Sequence, residues 1–263
     1  MRQVLWQKYV WGKQTAGQLA KEYKCSEKWI RQELDKVVVK KPKIQSCSIV
    51  VVADMTFIRR AYGIAVIRAP HLKKNLVWKM SKTENVRIYH ELRFELEKQG
   101  FEIEAAVIDG KPGLFDVFWD VHIQMCHFHQ IQIINRYLTT KPKLPASQEL
   151  RRIALRIPRS YEDEMRIMLD GWYERWEEFL KEKTFNPETR RWFYTHKRVR
   201  SAYRSLNKNL PLLYTYQKYP EFHIPNTTNS LDGSFSHLKD MLRIHRGLKK
   251  NRKLKLIDEL LSK

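Results

Sequence analysis

The stretch "SIVVVADMTF", residues 48–57, constrains the fold more than any other. Ile49, Val50, Val51 and Val52 are β-branched in succession, stiff at χ1 and suited to a pleated, buried surface. The run is far shorter than the ~20 apolar residues of a membrane span. It reads as a buried strand ending near Asp54, and a buried strand needs partners. "YGIAVIRA" (62–69) and "KNLVWKMS" (74–81) read as two more strands, separated by the turn-prone "IRRA" and "PHLKK". "SKTE" (81–84) has the form of a capping box. It would start a helix with Ile88, Leu92 and Leu96 inward, stopped by Gly100. "EIEAAVIDG" reads as a fourth strand ending at Asp109, and "VHIQMC" as a fifth, followed by the helix "HFHQIQIINRYL". The first three strands are close enough to form a meander. The later ones alternate with helices, which implies parallel additions to the sheet.

The flanking regions read as helical. In residues 15–34 one helix would bury Leu19, Ala20 and Tyr23. After a turn at 24–26, Ser26 would cap a second carrying Trp29, Ile30 and Leu34. This is the spacing of a helix-turn-helix, whose second helix would present Glu27, Lys28, Arg31 and Gln32 to a major groove; an ordinary helical hairpin has the same spacing. "VVVKKPKIQSC" (37–47) reads as a basic linker in which Pro42 breaks any helix. Over residues 145–220, three long amphipathic segments carry no strand signal between them and read as a helical insertion. Its aromatics, Trp172, Tyr173, Trp176, Trp192 and Phe193, read mostly as bundle core.

Charge narrows the partner. The 263 residues hold 50 Lys and Arg against 29 acids, a formal net charge of +21. Such a surface attracts polyanions, nucleic acid first, through counterion release. Residues 1–47 hold 11 basic and 4 acidic side chains. The segment "RGLKKNRKLK" (246–255) has six basic residues and no acid, either a solvated helix face or a phosphate track using Arg246, Lys249 and Lys250. The start "MRQVLWQKYVWGKQ" lacks a signal peptide's apolar core. Cys25, Cys47 and Cys126 are few, odd in number and far apart, which argues for a reducing compartment without structural disulfides. A cytoplasmic protein with no membrane partner is expected.

Three acids stand out. Asp54 and Asp109 sit at or near strand ends. Asp232 opens the helix of "TTNSLDGSFSHLK" (227–239), whose inward face would be Leu231, Phe235, Leu238 and Leu242. Taken singly, Asp232 reads as the acid of a helix cap, Asp54 as a hairpin-turn acid and Asp109 before Gly110 as a turn residue. Taken together, at element termini of a strongly basic chain, they read as a cage of hard oxygen ligands for Mg²⁺. Two such ions can activate an attacking oxygen and stabilise a leaving one at a phosphodiester. Gly233 and Ser234 would leave room for a nucleic-acid backbone. Cys126 and His129 form half of a zinc-ligand spacing with no second half in the chain. The structural reading has Cys126 packed at the strand end and His129 hydrogen-bonded near the active centre, with His127 at the surface.

These pieces resemble the bacterial insertion-sequence transposases related to the Mutator-like group. "VVVADMTF" is similar to their first-acid strand. "AAVIDGKPGLFDVF" with "IQMCHFH" is similar to their second-acid region and its Cys-x-x-His pair, and "NTTNSLDGSFSHLK" to their third-acid helix. The likeness covers about residues 46–250, and the helix-turn-helix before it also fits. It implies an α/β RNase H-like mixed sheet flanked by helices (46–263), an α-helical insertion at about 145–220, and an N-terminal helix-turn-helix with its linker (1–45). Asp54, Asp109 and Asp232 would be the catalytic, metal-holding acids for Mg²⁺, with Mn²⁺ able to substitute, and Cys126 and His129 their support. Lys28, Arg31, Gln32, Arg246, Lys249 and Lys250 would contact double-stranded DNA.

The implied activity is transposition. The protein would bind terminal inverted repeats, hydrolyse the element ends and transfer the 3′-OH strand to target DNA, as a homodimer or higher assembly. Two departures matter. The family's third acid is usually Glu, one methylene longer than Asp232; Asp240, two turns on, ranks well below it. Relatives often carry a cysteine-rich zinc module before the helix-turn-helix, and here Met1 begins directly at that helix. A decayed DNA-binding derivative and a structure-specific metal-dependent nuclease are the competing readings.

Overall fold

The computed structural model describes residues 1–39, 43–58, 61–245 and 247–262. Pro42 and Arg246 therefore lie outside the described residues. The chain is α/β. Its strands are β1 (Ser48–Ile58), β2 (Tyr62–Ala69), β3 (Lys74–Ser81), β4 (Glu102–Ile108) and β5 (His122–Met125), and they make one mixed sheet in the order β3-β2-β1-β4-β5. β2 and β3 are antiparallel; β1 and β4, and β4 and β5, are parallel. β1 runs four residues past Asp54, so that acid lies within a strand and not at its end.

Two compact units share the chain. The first comprises residues 1–47, 55–100 and 229–263. Its N-terminal helices are α1 (Arg2–Val10), α2 (Ala16–Glu22) and α3 (Glu27–Lys36). Thr15 caps α2 in a capping box with Gln18, and the Ser26 hydroxyl accepts from Trp29 N at 3.2 Å to cap α3. Between them Lys24 takes a positive φ of 52°, which reverses the chain in a tight turn. Leu19, Ala20, Ile30 and Leu34 are buried as their spacing demands. α4 (Val86–Lys98) packs on β2 and β3. Its cap is Asn85, whose Oδ1 accepts from Ile88 N at 3.1 Å; the "SKTE" stretch is no capping box, because Ser81 is still in β3. Ile88, Leu92 and Leu96 face inward, and Gly100 ends the turn at φ 85°. The unit closes with α11 (Asn229–Ile244) and α12 (Lys250–Leu261). On α11, Leu231, Phe235, Leu238 and Met241 are buried, while Leu242 is only partly so.

The second unit comprises residues 48–54 and 101–228. Besides short α5 (Leu114–Val117), it carries α6 (His127–Leu138), α7 (Pro145–Ala154), α8 (Glu162–Lys181), α9 (Lys197–Leu213) and short α10 (Thr215–Lys218). Helices α6 to α9 bury a continuous core including Ile134, Leu150, Leu169, Trp172 and Leu206. Trp172 also donates through Nε1 to Ala146 O at 3.0 Å, tying α8 to α7. The helical run is interrupted. β6 (Lys183–Asn186) and β7 (Arg191–Tyr194) form an antiparallel hairpin where unbroken helix was expected. Asn186 Oδ1 accepts from Glu188 N at 2.9 Å, an Asx turn that starts the reversal at Pro187. Trp192 is 66% exposed on that hairpin and does not join the core.

Candidate active site and basic cleft

Strand register brings two of the three acids together. Val52 pairs with Val107 across β1 and β4, and two residues further along each chain come Asp54 and Asp109. Neighbouring strands lie about 4.8 Å apart, and equal steps along parallel strands return side chains to the same face. Both acids are half-buried. Asp109 is fixed by an Asx turn in which its Oδ1 accepts from Lys111 N at 2.9 Å. Gly110 makes that turn possible: its φ is 75°, and a Cβ there would stand 2.2 Å from Met125 Cε.

The start of α6 is built onto the same end of the sheet. Cys126 N donates to Ile108 O at 2.8 Å, next to Asp109. The Cys126 sulfur is fully buried, 3.6 Å from Thr228 Oγ1, and accepts from Thr228 N at 3.4 Å. His127 N donates to Asn226 O at 3.0 Å, so the 226–228 segment is fastened to the first turn of α6. Burial alone would lower the His129 pKa. The Cys126 sulfur, then the charges of Asp54 and Asp109, outweigh that cost and push it up to about 9. Burial likewise pushes the Cys126 thiol up, but hydrogen bonding to and the charge of His129, with a smaller contribution from Thr228, together leave the thiol below its ordinary value. The His129 imidazolium is thus favoured beside the Cys126 sulfur and in the field of both carboxylates.

His127 is not a surface residue. It is 1% exposed, and its Nε2 meets Leu213 O at 2.6 Å. Gln124 Nε2 donates to the same oxygen at 2.8 Å. The last carbonyls of a helix have no partner within it, and these two buried side chains serve the end of α9. Nothing near position 127 in the sequence reveals that demand. Thr228, read only as part of a helix start, is likewise a direct neighbour of the Cys126 sulfur.

Asp232 stands in the other unit, exposed, on the first turn of α11. A Cβ at Gly233 would meet nothing within 4 Å, so the backbone beside Asp232 is open to a large ligand. Asp240 pairs with Arg243 at 3.2 Å. Among the described residues, no group of three or more His, Cys, Asp or Glu side chains is arranged to hold a metal ion.

The first unit carries a cleft of about 720 Å³ lined by Lys28, Arg31 and Gln32 of α3 and by Lys249 and Arg252, with the acids Glu27 and Asp35 also in its wall. Lys28, Arg31, Gln32, Lys249 and Lys250 are all exposed. Arg31 also pairs with Glu27 at 2.5 Å. Arg252 is different: it is 6% exposed and bound within the protein. No helix among the described residues is long and apolar enough to cross a membrane.

In comparison with known proteins, the chain matches no protein-family model and no curated protein.

Proposed function

We propose that the chain is a DNA transposase whose mixed sheet is an RNase H-like catalytic core and whose α2–α3 pair is a helix-turn-helix. The observation that carries the reading is the register that sets Asp54, in β1, beside Asp109, the residue that follows the parallel strand β4, in a chain of formal net charge +21. Lys28, Arg31 and Gln32 would reach base edges of the terminal repeats, and Lys249 and Lys250 would hold phosphates beside them. Asp54 and Asp109, with Asp232 from α11, would hold Mg²⁺ or Mn²⁺. When bound, the metal supplies Lewis-acid stabilisation of charge at the scissile phosphate and a more acidic water.

The chain's own groups do the rest. The Asx turn at Asp109 keeps its carboxylate from rotating away. Protonated His129 sets a positive charge beside the two carboxylates, which lowers their mutual repulsion before DNA arrives. Open backbone at Gly233 admits the strand. Water then displaces the 3′ oxygen at each element end, and that 3′-OH attacks a target phosphodiester with loss of the opposing oxygen. Two ends must be joined, so a dimer or higher assembly forms on DNA.

A second reading has its own support. Asp232 replaces the longer Glu, and no three-acid group is assembled among the described residues. A DNA-binding derivative without catalysis would have this appearance. Labelled duplex carrying the DNA that flanks the coding sequence separates the two. Incubation with Mg²⁺, Mn²⁺ or chelator, beside Asp54→Ala, Asp109→Ala and Asp232→Ala, should give metal-dependent cuts lost in all three variants. Salt-sensitive binding without cleavage under either metal establishes the derivative, and Asp232→Glu then tests repair.

A further inference from the structure

We propose that the first unit holds a nucleobase pocket, a site for one flat heterocycle with a phosphate at its rim, built where β1 and β2 face the end of α11 and the start of α12. The cavity measures about 450 Å³, within the ~300–1,000 Å³ range of small-ligand sites. Its surface is mostly apolar. Phe57 and Tyr62 supply aromatic walls, and Leu242 and Leu248 close the far side. Phe57 is 41% exposed, a large aromatic surface left open at the end of β1.

The rim decides the class of ligand. Lys239, Arg243 and Lys253 line it, and among the described lining residues none is an acid. Lys253 Nζ lies over the Tyr62 ring, 5.0 Å from its centre, a cation–π contact that covers one face of that wall and leaves the other to a ligand. An apolar slot with aromatic faces takes a planar ring by stacking, and the ammonium groups take the anion that ring carries. A cationic ligand would find no counter-charge, and a bare sugar would find too few hydrogen-bonding groups. His245 also lines the cavity. It is 5% exposed, its ring tilted against Tyr9 with centres 4.0 Å apart, so it belongs to the floor of the cavity. The same chemistry is offered by an unpaired base of DNA and by a free mononucleotide. The cavity shares a unit with the basic cleft, which favours DNA as the source. That choice of source rests on the function proposed above; the pocket itself does not.

The test uses the full chain and two probes. Fluorescence anisotropy compares a blunt duplex, the same duplex with a short single-stranded 3′ overhang, and that overhang built with abasic sugars. Saturation-transfer NMR with dAMP reads the free nucleotide. The overhang should bind at least about fivefold tighter than the blunt end, the worth of one stacked base. Tyr62→Ala should abolish the preference, Tyr62→Phe should retain it, and the blunt-end affinity should stay within about twofold in both, since stacking is the only term removed. A preference kept by the abasic overhang or by Tyr62→Ala overturns the pocket, as does equal binding of all three duplexes. If no DNA binds, the transposase reading fails. Transfer to dAMP that vanishes in Tyr62→Ala then upholds a pocket for free nucleotide, and no transfer overturns it.

Discussion

The Arg252 guanidinium clasps the Asp35 carboxylate through two hydrogen bonds, Nε to Oδ1 at 2.8 Å and Nη2 to Oδ2 at 2.7 Å. Nη2 also donates to Arg31 O at 3.0 Å. The last helix is thereby locked onto the exposed side of α3, and one of the six basic residues of 246–255 is spent on the fold. Asp35→Ala leaves a buried guanidinium without its carboxylate and should cost about 2–3 kcal/mol. Arg252→Lys should recover little, because a point charge cannot form the fork. Urea denaturation of the two single variants and the double variant checks this: an independent sum of the two costs would show the pair is uncoupled.

Lys249 has no such internal duty. Lys28→Ala and Lys249→Ala should leave stability within about 0.5 kcal/mol, as for ordinary surface changes. If each lysine neutralises one phosphate, each variant should reduce the slope of log K against log salt by about 0.9. Binding isotherms at several salt concentrations give the slope. An unchanged slope in both variants would remove the cleft from the DNA interface.

His129 should be protonated at pH 8, where an unperturbed histidine is neutral. Its raised pKa of about 9 means the charged form is favoured in the fold, with the Cys126 sulfur as the largest favourable cause against burial. Cys126→Ala removes that cause and leaves the burial cost, so the titration should move downward by more than one unit, a tenfold change in proton affinity or more. Histidine-selective NMR over pH 6–10 reads both midpoints directly.

Metal binding can be measured without turnover. Mg²⁺ at a hundredfold its dissociation constant should stabilise the wild-type chain by about 2.7 kcal/mol, and chelator should reverse it. Asp54→Asn and Asp109→Asn should each abolish the thermal shift. Asp232→Asn gives the informative result: a shift that survives there assigns the metal-free protein's own site to the two strand acids alone.

Much of this was legible in local sequence. The β-branched run at 49–52, the helix cap at Ser26, and the inward face of α4 depend on neighbours within a few residues, and each is present. Local reading failed where a distant element decides. "TRRWFYTHK" has the composition of an amphipathic helix, yet the Asx turn at Asn186 folds it back as a hairpin. His127 looked superficial because the end of α9, which needs its ring, lies 86 residues away. The pairing that sets Asp54 beside Asp109 is likewise a matter of register, which no window of sequence contains. The identity of both acids was visible, but their adjacency was not.

The first unit is assembled from the beginning, middle and end of the chain. Trp6 Nε1 donates to Glu259 at 3.1 Å across 253 residues, and Trp78 Nε1 to Asp258 at 2.8 Å across 180. During synthesis neither indole can find its acceptor until the final helix has left the ribosome, whereas residues 48–54 and 101–228 are all emerged well before. The first unit therefore cannot close until every residue of the second has been translated.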